Sequence, residues 1–320
     1  AHIETEAEPE PLYADQEQGP FYLYWSPDSS QVSFLANHPD GMGLHLVQAD
    51  GLADSRLLTT GGPLYWQWTA NSEEMFIHSG FSGEASRLEL ITAVGDGSGD
   101  SLALPGFFQA PGISTDGRYL AYAEAMSGNS SLTVTDTESE AVVQERHAGL
   151  VAMSWSPAAN LLAFTNGTEP DSSSFVGPLR LLDAATGDVS VISNEPIAAF
   201  FWSPNGRYLA YISVSRSNEG DINAQLDNRT TVGKPNLQQT APQLRLFVYD
   251  VAANEGRMLF RFVPTFTFAT QFLPFFDQYA HSHRLWSPDS SAFVLPMIED
   301  DRNQIFIIDI ETGQKRYLVD

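Results

Sequence analysis

A chain of 320 residues that is 42% hydrophobic and 12% aromatic can bury a large core, and the lack of cysteine excludes disulfides, thiolate metal sites and thiol nucleophiles. Forty acidic residues against 16 basic ones give a formal net charge of −24, a field that repels phosphate backbones and sets nucleic acid aside as a partner. No apolar run approaches the ~20 residues that cross a bilayer.

In chain order, residues 1–19 (AHIETEAEPEPLYADQEQG) are acidic, proline-bearing and poor in apolar side chains, and are read as a flexible leader. A repeat begins after it: WSPDSSQVSF from Trp25, WTANSEEMFI from Trp68, ISTDGRYLAY from Ile113, WSPAANLLAF from Trp155, WSPNGRYLAY from Trp202 and WSPDSSAFVL from Trp286. These signatures stand 43, 45, 42, 47 and 84 residues apart.

In each unit an apolar strand leads into the large aromatic. Ser-Pro-Asp-Ser or Ser-Pro-Asn-Gly then makes a tight turn, with proline fixing φ at its second position and Asp or Asn supporting the third. A second strand follows, rich in aromatic and β-branched residues, as in Tyr208-Leu209-Ala210-Tyr211. A third alternates and ends at an aspartate before a glycine turn (LRLLDAATG from Leu179, IFIIDIETG from Ile305), and a short fourth strand closes the unit, as in Arg316-Tyr317-Leu318-Val319. The expected blades lie at about 20–60, 63–105, 107–147, 150–193, 197–262 and 280–320, one domain over 20–320.

These units resemble the WD40-like repeats of TolB-type propellers and of the propeller domains in prolyl-oligopeptidase relatives. The resemblance runs over 20–320, with the third repeat lacking the Trp and the second lacking the Pro. It implies an all-β fold, a six-bladed β-propeller of four-stranded antiparallel blades around a channel. Because the chain opens on a first strand (Phe21 to Trp25) and closes on a fourth (Arg316 to Val319), the ring is expected to close without a shared N/C-terminal blade. The same resemblance implies a bacterial, extracytoplasmic, protein-binding module: a periplasmic or cell-surface monomer, exported with its signal peptide removed, a lipid anchor upstream being one form of that export.

The pattern breaks in the interval between Trp202 and Trp286. Residues 214–242 form a polar insertion between the second and third strands of blade 5, and 263–280 (VPTFTFATQFLPFFDQYA) a phenylalanine-rich connection to blade 6. Blade strands alternate in direction, so both emerge opposite the Ser-Pro-Asp turns, together with a shorter blade 4 loop over 167–178. Loops on a rigid scaffold carry function. The candidate partner-binding residues are therefore Arg216, Arg229, Lys234, Phe266, Phe268, Phe272, Phe275, Phe276, His281 and His283. The phenylalanines also fit a short helix that folds back to cap the ring.

His281 and His283 stand two apart at the expected start of the first strand of blade 6, so they share a side there and form a half-site for a divalent metal at most. No metal, cofactor or catalytic residue is assigned. A serine-hydrolase elbow is missing, since Gly80-Phe81-Ser82-Gly83 has the wrong spacing. The leading reading is a non-enzymatic exported scaffold for a protein, peptide or glycan. Its alternatives are a hydrolase or lyase acting on a glycan or peptide in the central channel, and a detached sensor or gating domain of a larger protein.

Overall fold

The computed structural model describes residues 11–80, 86–93, 99–106, 109–126, 129–139, 142–147, 149–167, 174–214, 243–279 and 283–319. The chain divides into two compact units, Ala1–Ile113 and Ser114–Asp320. Both are built from antiparallel strands paired in chain order, as a succession of hairpins requires.

In the first unit, Phe21–Trp25 (β1), Gln31–His38 (β2), Gly41–Gln48 (β3) and Arg56–Gly61 (β4) make one sheet, and Leu64–Trp68 (β5), Glu74–Ser79 (β6), Arg87–Thr92 (β7) and Gly99–Ala103 (β8) make another. The short Gly112–Ile113 (β9) ends the unit. Between the two sheets, Leu35, Leu44 and Leu46 pack with Leu64, Trp66, Trp68, Met75 and Ile77. The indole N–H groups of Trp66 and Trp68 both donate to Ser33 Oγ, at 2.8 and 2.9 Å. At Ile113, where the repeat lacks its tryptophan, the Gln67 carboxamide takes both backbone groups, accepting from the Ile113 N–H at 3.0 Å and donating to its carbonyl at 3.3 Å. The signature tryptophans differ in burial, Trp68 being buried and Trp25 60% exposed.

The second unit opens with Tyr119–Met126 (β10), Asn129–Asp136 (β11) and Val142–His147 (β12), paired in chain order. A continuous ladder follows: Val151–Trp155 (β13), Leu161–Asn166 (β14), Gly177–Asp183 (β15), Val189–Trp202 (β16), Tyr208–Val214 (β17), Leu244–Asp250 (β18), Glu255–Pro264 (β19), Ala292–Glu299 (β20), Arg302–Asp309 (β21) and Lys315–Val319 (β22). The boundary expected between 193 and 197 is not a break. β16 runs through it, pairing with β15 as far as Ile197 and with β17 from Ile197 onward. Its register shifts between Ile197 and Ala199, a bulge just after Pro196 where the strand passes from one neighbour to the other.

The repeated turns explain the repeated sequence. In Ser-Pro-Asp-Ser the Asp28 carboxylate accepts from Ser26 Oγ at 2.6 Å and from the Ser30 N–H at 3.0 Å, and Asp289 is held in the same way by Ser287 Oγ and the Ser291 N–H. These bonds favour the charged form, so both carboxyls are held down at about 2. Asp136, Asp183, Asp250 and Asp309 at the ends of third strands accept from backbone N–H groups two or three residues on, the bonding that places aspartate before the next turn.

Gly-Arg-Tyr in the second strand builds a ladder across repeats. Arg207 pairs with Asp250 at 2.9 Å and lies 4.8 Å over the Tyr208 ring, which stacks on Trp286 at 6.3 Å and 10°. Arg118 repeats it with Asp136, Tyr119 and Trp155. The Trp202 and Trp286 indoles donate to the carbonyls of Ser154 and Phe201, each the residue before the preceding tryptophan.

The fourth turn position is left-handed at Ser29, Ser72, Gly117, Gly206 and Ser290. At Gly206 a Cβ would also come within 2.5 Å of the Ala158 Cβ, so glycine is required twice over. Ser29 is exposed and has no such neighbour. Ser29→Gly is expected to raise stability by roughly 0.5 kcal/mol, the relief of left-handed backbone less the added unfolded-state freedom. Ser290→Gly is not expected to do so, because Ser290 Oγ accepts the Asn205 N–H at 3.1 Å. Paired urea melts of the two variants check this contrast.

Candidate functional site

The second unit's core continues into the phenylalanine-rich connection. A π turn over Phe268–Phe272, a 3-10 turn over Leu273–Phe275 and an α turn over Phe276–Tyr279 carry it as one helical segment. The short fold-back helix that the phenylalanines allowed is formed. Phe268, Leu273 and Phe276 face the protein, and Phe276 is 0% exposed. Its ring meets Phe200, Phe175 and Phe201 edge-on at 4.8, 5.5 and 5.7 Å. Phe200 and Phe201 belong to β16, and Phe175 lies in the loop between β14 and β15. The described part of the blade 4 loop and the connection after β19 therefore meet on one aromatic anchor.

The expected partner-binding phenylalanines split by burial. Phe268 and Phe276 are core, Phe272 is half-buried, and Phe266 and Phe275 are 62% and 40% exposed. Phe268 stacks on Phe272 at 5.1 Å and Phe272 on Tyr279 at 5.7 Å, an aromatic ladder along the outside of the anchor. Arg216, Arg229, Lys234 and His281 lie outside the described residues.

His283 does not stand in a strand. The expected first strand of the last repeat is reduced to a single bridge between Trp286 and Phe293. The His283 N–H instead donates to the Tyr279 carbonyl at 2.9 Å, and its exposed ring meets Tyr279 and Phe272 edge-on at 5.1 and 6.0 Å. Its backbone N–H is committed to the end of the helical segment at Tyr279 and donates no ladder bond. Among the described residues no group of three or more His, Asp and Glu side chains could hold a metal ion.

A polar cluster that the sequence did not reveal sits at the root of the long insertion. Arg245, near the start of β18, pairs with Glu195 of β16 and donates to the Val214 carbonyl at 3.2 Å, while Ser213 Oγ donates to Glu195 at 3.1 Å. Beside it Tyr211 stacks on Phe247 at 5.0 Å and 5°, and burial pushes its phenol up to about 12, so it stays protonated. The cluster joins the strand before the insertion to the strand after it. A lone arginine next to a polar insertion gives no signal of this, since its partner comes from another repeat. Arg245 and Ser213 both bond to the Glu195 carboxylate, which commits its oxygens within the cluster.

A buried serine–histidine contact in the first unit invites a catalytic reading that its hydrogen bonds refuse. Ser86 Oγ lies 3.4 Å from His78 Nε2, and the Gln109 N–H donates to His78 Nδ1 at 3.3 Å. With Nδ1 accepting, the ring proton of the neutral imidazole is on Nε2, facing the serine. A general base needs the lone pair there. Glu74, at the turn end of the same strand β6, is raised by burial, with Glu73 and Asp100 adding to it.

No family model matches this chain, and no curated protein matches it in sequence. Solved structures match by fold. An oligogalacturonate lyase described in complex with manganese aligns over 92% of this chain and 75% of its own at 12% identity, with a TM-score of 0.57. One of two prolyl endopeptidases aligns over 96% of this chain and 42% of its own at 11% identity and a TM-score of 0.59. The Swd1 β-propeller domain of Myceliophteria thermophila aligns over 96% and 88% at 10% identity and a TM-score of 0.52. TolB from Acinetobacter baumannii is matched over 91% and 64% at 15% identity and a TM-score of 0.44. The fold is that of a β-propeller, as the repeats resemble.

Proposed function

We propose that this chain is a non-enzymatic binding scaffold, a six-bladed propeller closed without a shared blade, that engages a protein, peptide or glycan through the loop end of its fourth to sixth repeats. The observation that carries the reading is the aromatic anchor. Phe276 fastens the connection after β19 to Phe175 and β16, while Phe266 and Phe275 of the same segment stay in solvent, where apolar area is normally reduced unless it has a partner. Rigid aromatics on a fixed segment lose little side-chain entropy on binding, which suits them to recognition. Arg216, Arg229 and Lys234 of the adjacent insertion belong to the same surface in this reading. Export to a bacterial periplasm or cell surface, with or without a lipid anchor, and a monomeric state complete it.

The enzyme alternative needs acidic groups free to exchange protons. The turn aspartates are committed to backbone N–H groups and Glu195 to Arg245, which favours binding over turnover. The test combines both questions. The chain is screened on peptide and oligosaccharide arrays, alongside the double variant Phe266→Ser/Phe275→Ser, with product analysis in the presence and absence of chelator. Retention of a ligand, unconsumed and weakened at least tenfold in the double variant, is expected. Turnover of any array member, or unchanged retention by the variant, overturns the proposal.

A further inference from the structure

His45 is buried on β3 with neither ring nitrogen bonded to any group. A neutral imidazole carries one donor and one acceptor, and leaving both idle away from water is costly. The cause is visible above it. Tyr13 tilts across Phe34 at 4.7 Å and across His45 at 5.7 Å, while Phe34 and His45 lie nearly parallel at 5.3 Å and 13°. Tyr13 thereby covers the side of the first sheet formed by Val32, Phe34, Ala36 and Val47. The segment that carries it is folded on itself: Tyr13 Oη donates to the Gln18 carbonyl at 3.0 Å, and Asp15 accepts from the N–H groups of Glu17 and Gln18 at 2.8 Å. Part of the acidic stretch read as a flexible leader thus rests on the first sheet.

We propose that residues 11–18 are an acid-released cover on the first sheet, and that His45 is the group whose protonation releases it. Lifting Tyr13 opens both ring nitrogens to water, so the uncovered state holds a proton more readily than the covered one. Burial pushes His45 below its ordinary value, and His38 on β2 adds to this. Asp15 on the cover opposes it. Among the described residues no other charge acts on the ring: β4 offers Leu57, and the Arg56 guanidinium donates to the Ala93 carbonyl. Because the covered state binds the proton less, cover closure is full above the solvated histidine value and weakens as pH falls below it. The two idle nitrogens are then the device itself, stable only while the imidazole is neutral.

The test is cleavage after Asp15 and Glu17 by a protease specific for acidic residues, at pH 7.5 and 5.0, each rate divided by that of a free peptide of residues 1–20. Wild type is expected to show a normalised rate at least about threefold higher at pH 5.0, because the uncovered state holds the proton more readily than the covered one. His45→Leu, which keeps the apolar contact and cannot titrate, should show no rise. Tyr13→Ala should be cleaved fast at both pH values. An equal rise in His45→Leu overturns the proposal, as does the lack of any rise in wild type. Titration of His45 by its ring-proton NMR signal gives a readout independent of the variants: a value at or above 6.5 in the intact protein also overturns it.

Discussion

Phe276→Ala is expected to lower the unfolding free energy of the second unit by about 3–5 kcal/mol, the range for truncating a fully buried phenylalanine. The ring is completely enclosed, and Phe175, Phe200 and Phe201 all pack its edges, so the cavity cannot close by one side chain moving. Phe200 and Phe201 sit on β16, which is hydrogen-bonded to both β15 and β17, and this leaves little backbone freedom to fill the space. Phe266→Ala, on the same segment but exposed, is expected to change stability by less than about 0.5 kcal/mol. Chemical denaturation of both variants decides it. Near-equal effects would mean that the helical segment is not anchored through Phe276.

Between pH 6.5 and 4 the protein is expected to lose about 3 kcal/mol through His78 alone. Burial pushes this histidine from 6.5 down to about 4, against the smaller opposing effect of the Gln109 N–H. The unfolded chain therefore binds a proton that the folded chain refuses throughout that window. Stability is full above pH 6.5, falls as pH drops toward 4, and loses nothing more through this group below it. The turn carboxyls Asp28 and Asp289, held at about 2, add their loss at lower pH. Acid also relieves the self-repulsion of a chain with net charge −24, which acts the other way. That contribution is common to wild type and His78→Leu, so the difference between their pH profiles isolates the histidine. A His78→Leu profile as steep as wild type between pH 6.5 and 4 would contradict the assignment.

The turns were the most legible part of the molecule. Ser-Pro-Asp-Ser, Ser-Thr-Asp-Gly and Ser-Pro-Asn-Gly are local devices whose turn-forming bonds run within five residues, so their composition states their geometry. The Gly-Arg-Tyr strands were legible as strands, but the arginine–aspartate pair and the tyrosine–tryptophan stack join residues that lie far apart in sequence. The aromatic connection was legible as unusual, and its fold-back as a short helix was one of the two readings the phenylalanines allowed. Which rings turn inward could not be read, because π, 3-10 and α turns follow one another and no single helical period assigns the faces. His283 departs from the strand pattern before Trp286 for a related reason: its backbone N–H bonds to the Tyr279 carbonyl at the end of the helical segment.

The repeat is written in the chain itself: the tryptophan and proline turns, the aspartates that close the third strands, and hence a succession of hairpins with the fold of a propeller. Each of those rests on bonds between near neighbours and on a pattern that recurs. How the irregular pieces are used is set by packing between distant parts of the folded chain. Phe276 became core and Phe266 surface, Glu195 was paired with Arg245, β16 ran through an expected boundary, and Tyr13 was laid over His45. Those outcomes depend on which side chains meet across distances in the chain that no local rule relates, and on a buried polar group being tolerated only where the packing around it leaves no better choice.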